Sequence, residues 1–347
     1  MQKISEITLE NFRNHQKVSI PIGELTVLVG DNGVGKTAIL EALSLLSVAD
    51  SWKTERDSEV VMWERDFCRV TSGDSEIVIQ VKPSFKRYRI DGISKRLSDI
   101  LGRLPTVLFQ PEDSNLIHGS PSQRRLFLDR LLSQVVPGYA KNISHVQKVL
   151  KNRNKLLKQV QEGKAREEEL TYWDNELKQC IGAIQPVRRE LVTEILPIIT
   201  TNFKDLLHEN LELEVYYQNS PGNHHDFDDD FFIKQRSREI AAGVTLYGPH
   251  REDIEFMVEG RPADTCLSRG QTRALVLALK LAELHYIEGK SEKKPLLLLD
   301  DIFAEFDHSR RAKVLKLLQN YQTVMAVTDL IGLEEEIPKH ATIVKLH

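Results

Sequence analysis

The chain has 347 residues, 41% of them apolar, which at about 150 residues per domain is material for two domains with real cores and excludes a disordered polypeptide. Lys and Arg number 47 against 51 Asp and Glu; a net charge of -4 excludes a protein that coats nucleic acid by bulk charge, so any anionic partner must meet a local patch. The scattered Cys68, Cys180 and Cys266 form no CxxC or Cys/His cluster, and the charged N-terminus and the lack of ~18 consecutive apolar residues predict a reduced, cytoplasmic protein, neither secreted nor membrane-spanning.

In chain order, Ile4, Ile7 and Leu9, then Val18, Ile20 and Ile22, alternate as strands do, and Leu25-Thr26-Val27-Leu28-Val29 reads as a strand buried on both faces. Residues 38–48 follow with helical spacing, so a buried strand runs through a Gly-rich turn into a helix. Short β-rich runs between Phe67 and Asp91 predict antiparallel strands. From 121 to about 210 the spacing is helical, at Val146, Leu150 and Leu157 and again at Leu170, Leu177, Ile184 and Leu191. Glu162-Gly163-Lys164 breaks this stretch into two antiparallel helices, the second kinked at Pro186. The run HHDFDDDFF, from His224, reads as a solvated loop or helix start. RALVLALKLAELHYIE, LLLLDD, RRAKVLKLLQN and TVMAV then alternate helix and strand, which predicts parallel pairing. The expected fold class is α/β: a discontinuous head over 1–120 and 211–347, with an inserted helical arm over 121–210.

Gly30-Asp31-Asn32-Gly33-Val34-Gly35-Lys36-Thr37 fits GxxxxGK(S/T) after a buried strand and before a helix, the context that a phosphate-binding loop requires. Glycines let the loop curl its N–H groups toward phosphates, Lys36 supplies a cation for the β- and γ-phosphates, and the Thr37 hydroxyl can ligate Mg²⁺. The apolar run Leu296 to Leu299 ends in Asp300 and Asp301. Asp300 is the candidate Mg²⁺ ligand, directly or through water, and Asp301 the group that orients or deprotonates a hydrolytic water. Leu267-Ser268-Arg269-Gly270-Gln271 opens a helix, where a hydroxyl and free N–H groups make an anion site.

P-loop, LSxGQ and apolar-DD, in that order, resemble the ABC-type ATPase superfamily. The resemblance implies that Ser268, Gly270 and Gln271 contact nucleotide held by a partner's P-loop, in an ATP-induced homodimer. ENFRN (Glu10 to Asn14), FQPEDSNLIHGSPSQRRLFLD (Phe109 to Asp129), YGPHRED (Tyr247 to Asp253), LSRGQTRALVLALKLAE and LLLLDDIFAEFD (Leu296 to Asp307) are similar, over nearly the whole chain, to the RecF family of bacterial repair ATPases related to SMC heads. That resemblance implies an ABC-type head with a mixed sheet lobe, and slow Mg²⁺-dependent ATP hydrolysis. It also implies a role in repair, replication and the SOS response, in which an ATP dimer binds DNA at gaps or junctions and RecR and RecO help load a recombinase. It further places Gln110 at Mg²⁺ and the attacking water, Asp307 in a loop crossing to the partner head, and Arg13 at the nucleotide. Thr328 stands near the place of the transporter switch histidine, as a water-positioning group too weak a base for fast turnover. Arg269 within LSRGQ and Gln110 before PED depart from the family pattern. The competing functions are an SMC-like head of another DNA machine and an ATP-gated structural dimer with negligible turnover.

Nine basic residues against one acidic lie between Arg124 and Lys158, and seven against two between Lys82 and Arg103. Arg124, Arg125, Lys148, Lys151, Arg153 and Lys155 are accordingly the candidate DNA contacts, able to track phosphates without reading bases.

Overall fold

The computed structural model describes residues 3–347 apart from 55, 208, 210, 220–226, 303–310, 312, 313, 317, 318, 332–336 and 339. The first stretch runs through strands β1 (Glu6–Phe12), β2 (His15–Pro21) and β3 (Leu25–Val29), helix α1 (Lys36–Val48), strands β4 (Phe67–Ser72), β5 (Ser75–Gln80), β6 (Phe85–Ile90) and β7 (Ile93–Lys95), helix α2 (Leu97–Ile100) and β8 (Thr106–Phe109). The middle stretch holds α3 (Asn115–His118), α4 (Pro121–Val135), α5 (Tyr139–Gln161), α6 (Leu170–Leu207), β9 (Leu213–Gln218), α7 (Asp229–Ala242), β10 (Asp253–Val258), β11 (Arg261–Pro262), α8 (Ala263–Cys266) and α9 (Arg269–Ser291). Strands β12 (Leu296–Asp300), β13 (Thr323–Val327) and β14 (Thr342–Lys345) follow. The chain divides into two compact units, Met1–Asp113 with Leu279–His347, and Ser114–Ala278.

The first unit contains an antiparallel sheet in the order β2-β1-β4-β5-β6-β7 and a parallel one in the order β14-β3-β13-β12-β8. β12 and β13 are buried at every residue, as continuous apolar runs in a doubly covered parallel sheet should be. Helix α1 contacts β1, β4 and β5 of one sheet and β8, β12 and β13 of the other. This explains why it is apolar nearly all round, with Ile39, Leu40, Leu43 and Leu46 at 2% exposure or less. A helix fixed on both sides gives the glycine loop ahead of it a rigid base.

In the second unit the helical stretch expected over 121–210 forms α4, α5 and α6. The compact unit is larger, however, and takes in the three-stranded antiparallel sheet β11-β10-β9 and α7, because these pack on the helices. α5 and α6 pack together, joined by residues 162–169, in which Gly163 adopts φ +70° and Glu167–Glu169 form a 3-10 turn. α6 remains helical through both Pro186 and Pro197. Asp228 caps α7, accepting from the Phe231 amide at 2.7 Å, which makes the end of the acidic run a helix start; His224, His225 and Asp226 lie outside the described residues. Among the described residues no helix is long and apolar enough to cross a membrane.

Candidate functional site

The parallel register gathers residues distant in sequence at one edge of the five-stranded sheet. Val327 pairs with Val29, Ala326 with Asp300, and Leu299 with Phe109. Gly30, Thr328, Asp301 and Gln110 therefore leave their strands side by side at the carboxyl ends, the edge where open α/β sheets place their ligands. Gly30 has no room for a side chain, since a Cβ would lie 2.6 Å from the Leu346 carbonyl oxygen. Gly33 and Gly35 adopt φ of +89° and +101°, which curls the loop into α1. Asp31, Asn32 and Gly33 are exposed and Val34 is half-buried. Lys36 is buried, and its ammonium donates to the Gly30 and Asp31 carbonyls at 2.6 and 3.0 Å.

At the second residue of α1, the Thr37 hydroxyl donates to Asp300 Oδ1 at 3.0 Å, across 263 positions of sequence. A hydroxyl and a carboxylate so placed are the oxygen donors a Mg²⁺ ion takes from a P-loop protein, the rest coming from water and phosphate. Burial pushes the Asp300 carboxyl above its ordinary range, with the Thr37 hydrogen bond acting the other way. A carboxylate desolvated in this manner is suited to a cation. Asp301 has φ +49° and its amide donates to Ala326 O at 3.2 Å, so its backbone is held in the strained left-handed region directly after the strand. Gln110 is half-buried, its amide donating to Asp113 Oδ2 at 2.9 Å. Burial raises the Asp113 carboxyl, against the pull of Lys280, whose ammonium lies 5.8 Å from the Phe109 ring centroid. Thr328 is exposed at the same edge.

Other expected residues are engaged elsewhere. Arg13 forms a two-pronged pair with Glu41 of α1 at 2.6 and 2.9 Å and donates to the Glu59 carbonyl at 2.7 Å. Ser268 and Gln271 cap α9 reciprocally: the Ser268 amide donates to Gln271 Oε1 at 3.0 Å, and the Gln271 amide to Ser268 Oγ at 3.3 Å. Ser268 is nevertheless exposed and Gly270 half-buried, both in the second unit. Asp307 lies outside the described residues.

The basic stretch needs correction. Arg153 is wholly buried, donating to Asp174 at 2.8 and 3.0 Å, to Glu239 at 2.5 Å and to Thr245 at 3.0 Å. It occupies the apolar stripe with Val146, Val149 and Leu157, so helical phase removes it from any DNA face. Arg124 forks onto Asp253 at 2.7 and 2.8 Å, and Arg125 donates to the Glu252 carbonyl at 2.7 Å. Both are spent inside the unit. Lys148, Lys151 and Lys155 are exposed on one face of α5, which Lys141 and Lys158 extend, in a helix without a single acidic residue. Of the second basic stretch, Lys86 pairs with Asp57 at 2.5 Å and Arg103 with Asp74 at 2.6 Å, while Lys82, Arg87, Lys95 and Arg96 are exposed.

Sequence reasoning missed Asn14 and His15, whose side chains meet the Gly33 and Gly35 carbonyls at 3.2 and 3.0 Å. Asn14 stands in the turn after β1 and His15 opens β2, both outside the loop's own pattern. Glu41, by contrast, had a signal: a carboxylate inside an otherwise apolar helix needs a cation.

The RecF/RecN/SMC N terminal domain family matches residues 3–331. The DNA replication and repair protein RecF of Heliobacterium modesticaldum is 33% identical over 353 residues, covering 96% of this chain and 94% of that protein. The chain belongs to the RecF family. The RecF protein of Moorella thermoacetica is 33% identical over 337 residues, covering 95% of this chain and 90% of its own. Among solved structures, the recombination mediator protein RecF-ATP in the RecFOR pathway superposes with a TM-score of 0.85 at 29% identity, covering 99% of this chain and 95% of that one. An SMC head bound to the C-winged helix domain of ScpA, at 16% identity and a TM-score of 0.53, shares the fold. The architecture is thus that of an ABC-type ATPase head of the RecF and SMC kind with an inserted helical region.

Proposed function

We propose that this chain is a slow Mg²⁺-dependent ATPase of DNA repair and replication, whose ATP-bound homodimer binds DNA at gaps or junctions and, with RecR- and RecO-type mediators, supports recombinase loading in the cytoplasm. The observation that carries the reading is the Thr37–Asp300 pair set beneath the glycine loop at the carboxyl edge of the parallel sheet, in a chain of the RecF family.

In this reading the loop from Gly30 to Thr37 wraps the phosphates with its N–H groups, and Lys36 leaves the Gly30 and Asp31 carbonyls to neutralise the terminal phosphates. Thr37 and Asp300 hold Mg²⁺, with Gln110 completing its surroundings; the ion supplies charge neutralisation on the phosphate oxygens. Asp301 takes or orients the proton of the attacking water, fixed by its strained backbone. Thr328 orients that water without acting as a strong base, which limits the rate. Ser268, Gly270 and Gln271 address nucleotide held by a second copy, with Ser268 turning its hydroxyl from the α9 cap toward phosphate. Asp307, outside the described residues, would by the resemblance address that copy, and Arg13 reaches the nucleotide upon leaving Glu41. Lys148, Lys151 and Lys155 carry the phosphate backbone of DNA.

Phosphate release by wild type and Asp301→Asn tests the enzymatic part. The variant should bind ATP and dimerise but turn over at least tenfold more slowly; equal turnover would remove Asp301 from the chemistry.

A further inference from the structure

The turn between β1 and β2 is pressed against the glycine loop at the point where the loop's peptide groups must face a ligand. The Asn14 amide donates to the Gly33 carbonyl at 3.2 Å, and the His15 Nε2–H to the Gly35 carbonyl at 3.0 Å. Gly35 adopts φ +101°, and a Cβ there would collide with the His15 ring and lie 2.6 Å from Asn14 Oδ1. Loop and turn therefore pack as one piece, and both contacts fall on carbonyls.

We infer that Asn14 and His15 are positioning residues which set the direction of the phosphate-facing amides. A trans peptide is planar, with its C=O and the following N–H pointing opposite ways. Fixing the Gly33 carbonyl on one side fixes the Val34 N–H on the other, where it makes only a long 3.5 Å hydrogen bond to the Asp31 carbonyl that a phosphate oxygen can replace, and fixing the Gly35 carbonyl sets the Lys36 N–H in the same way. The Gly35 carbonyl also accepts the first hydrogen bond of α1, from the Ile39 amide at 3.2 Å, so His15 steadies the helix's opening turn, whose own N–H groups the helix leaves unpaired.

The turn itself is well anchored. Asn11 and Arg13 are held at φ +51° and +52°, conformations that persist only where surrounding contacts impose them. Here these contacts are the Arg13 amide on Val60 O at 2.8 Å and the Met62 amide on Asn11 O at 2.8 Å. A nucleotide thus meets a loop whose amides are already ordered and does not spend binding energy on ordering them. The contribution is the same for ATP and ADP and is made equally in ground and transition states, so it belongs in KM rather than kcat.

This inference rests on the nucleotide site proposed above, and the test separates the two. Binding of ATP and ADP, labelled with a fluorescent ribose group, is measured for wild type, His15→Ala, His15→Gln, Asn14→Asp and Lys36→Ala, alongside thermal unfolding without nucleotide. One lost tether should weaken both nucleotides by roughly 2- to 12-fold. KM should rise with kcat retained, and the unfolding temperature should fall by no more than the few degrees that one lost hydrogen bond costs. His15→Gln keeps a donor and should restore binding, whereas Asn14→Asp places an acceptor against the Gly33 carbonyl and should weaken it more. Unchanged affinity in His15→Ala and Asn14→Asp, with binding abolished by Lys36→Ala, would overturn the inference alone. Unchanged affinity in Lys36→Ala as well would overturn the nucleotide site itself.

Discussion

Replacing Arg153 with methionine tests whether this residue belongs to the core or to a DNA surface. The guanidinium has no exposed surface, and its carboxylate partners Asp174 and Glu239 are 7% and 1% exposed. Without it, Asp174 keeps the Arg236 guanidinium at 2.6 Å, but Glu239 keeps the Leu246 amide at 2.8 Å and, among the described residues, no cation. Breaking a buried pair in this way costs about 3–5 kcal/mol, a large share of the ~5–15 kcal/mol that holds a domain folded. Urea unfolding followed by far-UV circular dichroism should show that loss for Arg153→Met. Lys151→Met, two positions along on the exposed face, should stay within about 0.5 kcal/mol of wild type. Adding Glu239→Gln to Arg153→Met should recover part of the loss, since an amide leaves no buried charge. Arg153→Met with wild-type stability but weakened DNA binding would refute this assignment and return Arg153 to the surface.

Asp300→Asn should weaken Mg²⁺ binding in the presence of ATP by roughly 10- to 100-fold, read by Mg²⁺ titration of phosphate release, because a charged oxygen ligand is lost while Thr37 remains. Burial and the nearby Arg251, Arg125 and Arg153 hold the His250 imidazole down at about 4 from its ordinary 6.5. Unfolded chains therefore take up this proton first, and stability falls as pH drops from 6.5 to 4, by up to about 3 kcal/mol. His250→Gln should flatten that part of the stability profile against pH; an unchanged slope would mean the imidazole is not kept neutral. Lys148→Glu, Lys151→Glu and Lys155→Glu together should reduce the log-log salt slope of DNA binding by about 2.7, at ~0.9 per phosphate contact. An unchanged slope would leave α5 without a DNA role.

The glycine loop and the acidic strand end were legible in sequence because each is a local pattern whose meaning depends on the element beside it. Gly30 to Thr37 lies between a buried strand and a helix, and Asp300 follows four apolar residues. Their meeting at 3.0 Å follows from parallel strand order, which alternation of helix and strand already implied. Arg124, Arg125 and Arg153 were misread for the opposite reason. Counting charges along Arg124 to Lys158 ignores helical phase and partners such as Asp253 and Glu239, which approach from elements more than eighty residues away. The similarity of YGPHRED to family sequences likewise carried no role. In the structure Glu252 meets the buried Arg188 at 2.6 Å and Asp253 meets Arg124, so the motif joins α6 and α4 to the sheet strand β10. Asn14 and His15 escaped notice because a turn that supports a loop from outside leaves no periodic mark.

In the proposed dimer, nucleotide held by one copy is completed by Ser268, Gly270 and Gln271 of another. Static light scattering during gel filtration, with ATP, with ADP and without nucleotide, decides this on the Asp301→Asn variant, in which ATP should persist if Asp301 acts as proposed. Twice the protomer mass is expected with ATP alone, and the protomer mass in all conditions when Ser268→Arg is added, with ATP binding to that protomer intact. A protomer mass for Asp301→Asn with ATP bound, or an ATP dimer that survives Ser268→Arg, would contradict it.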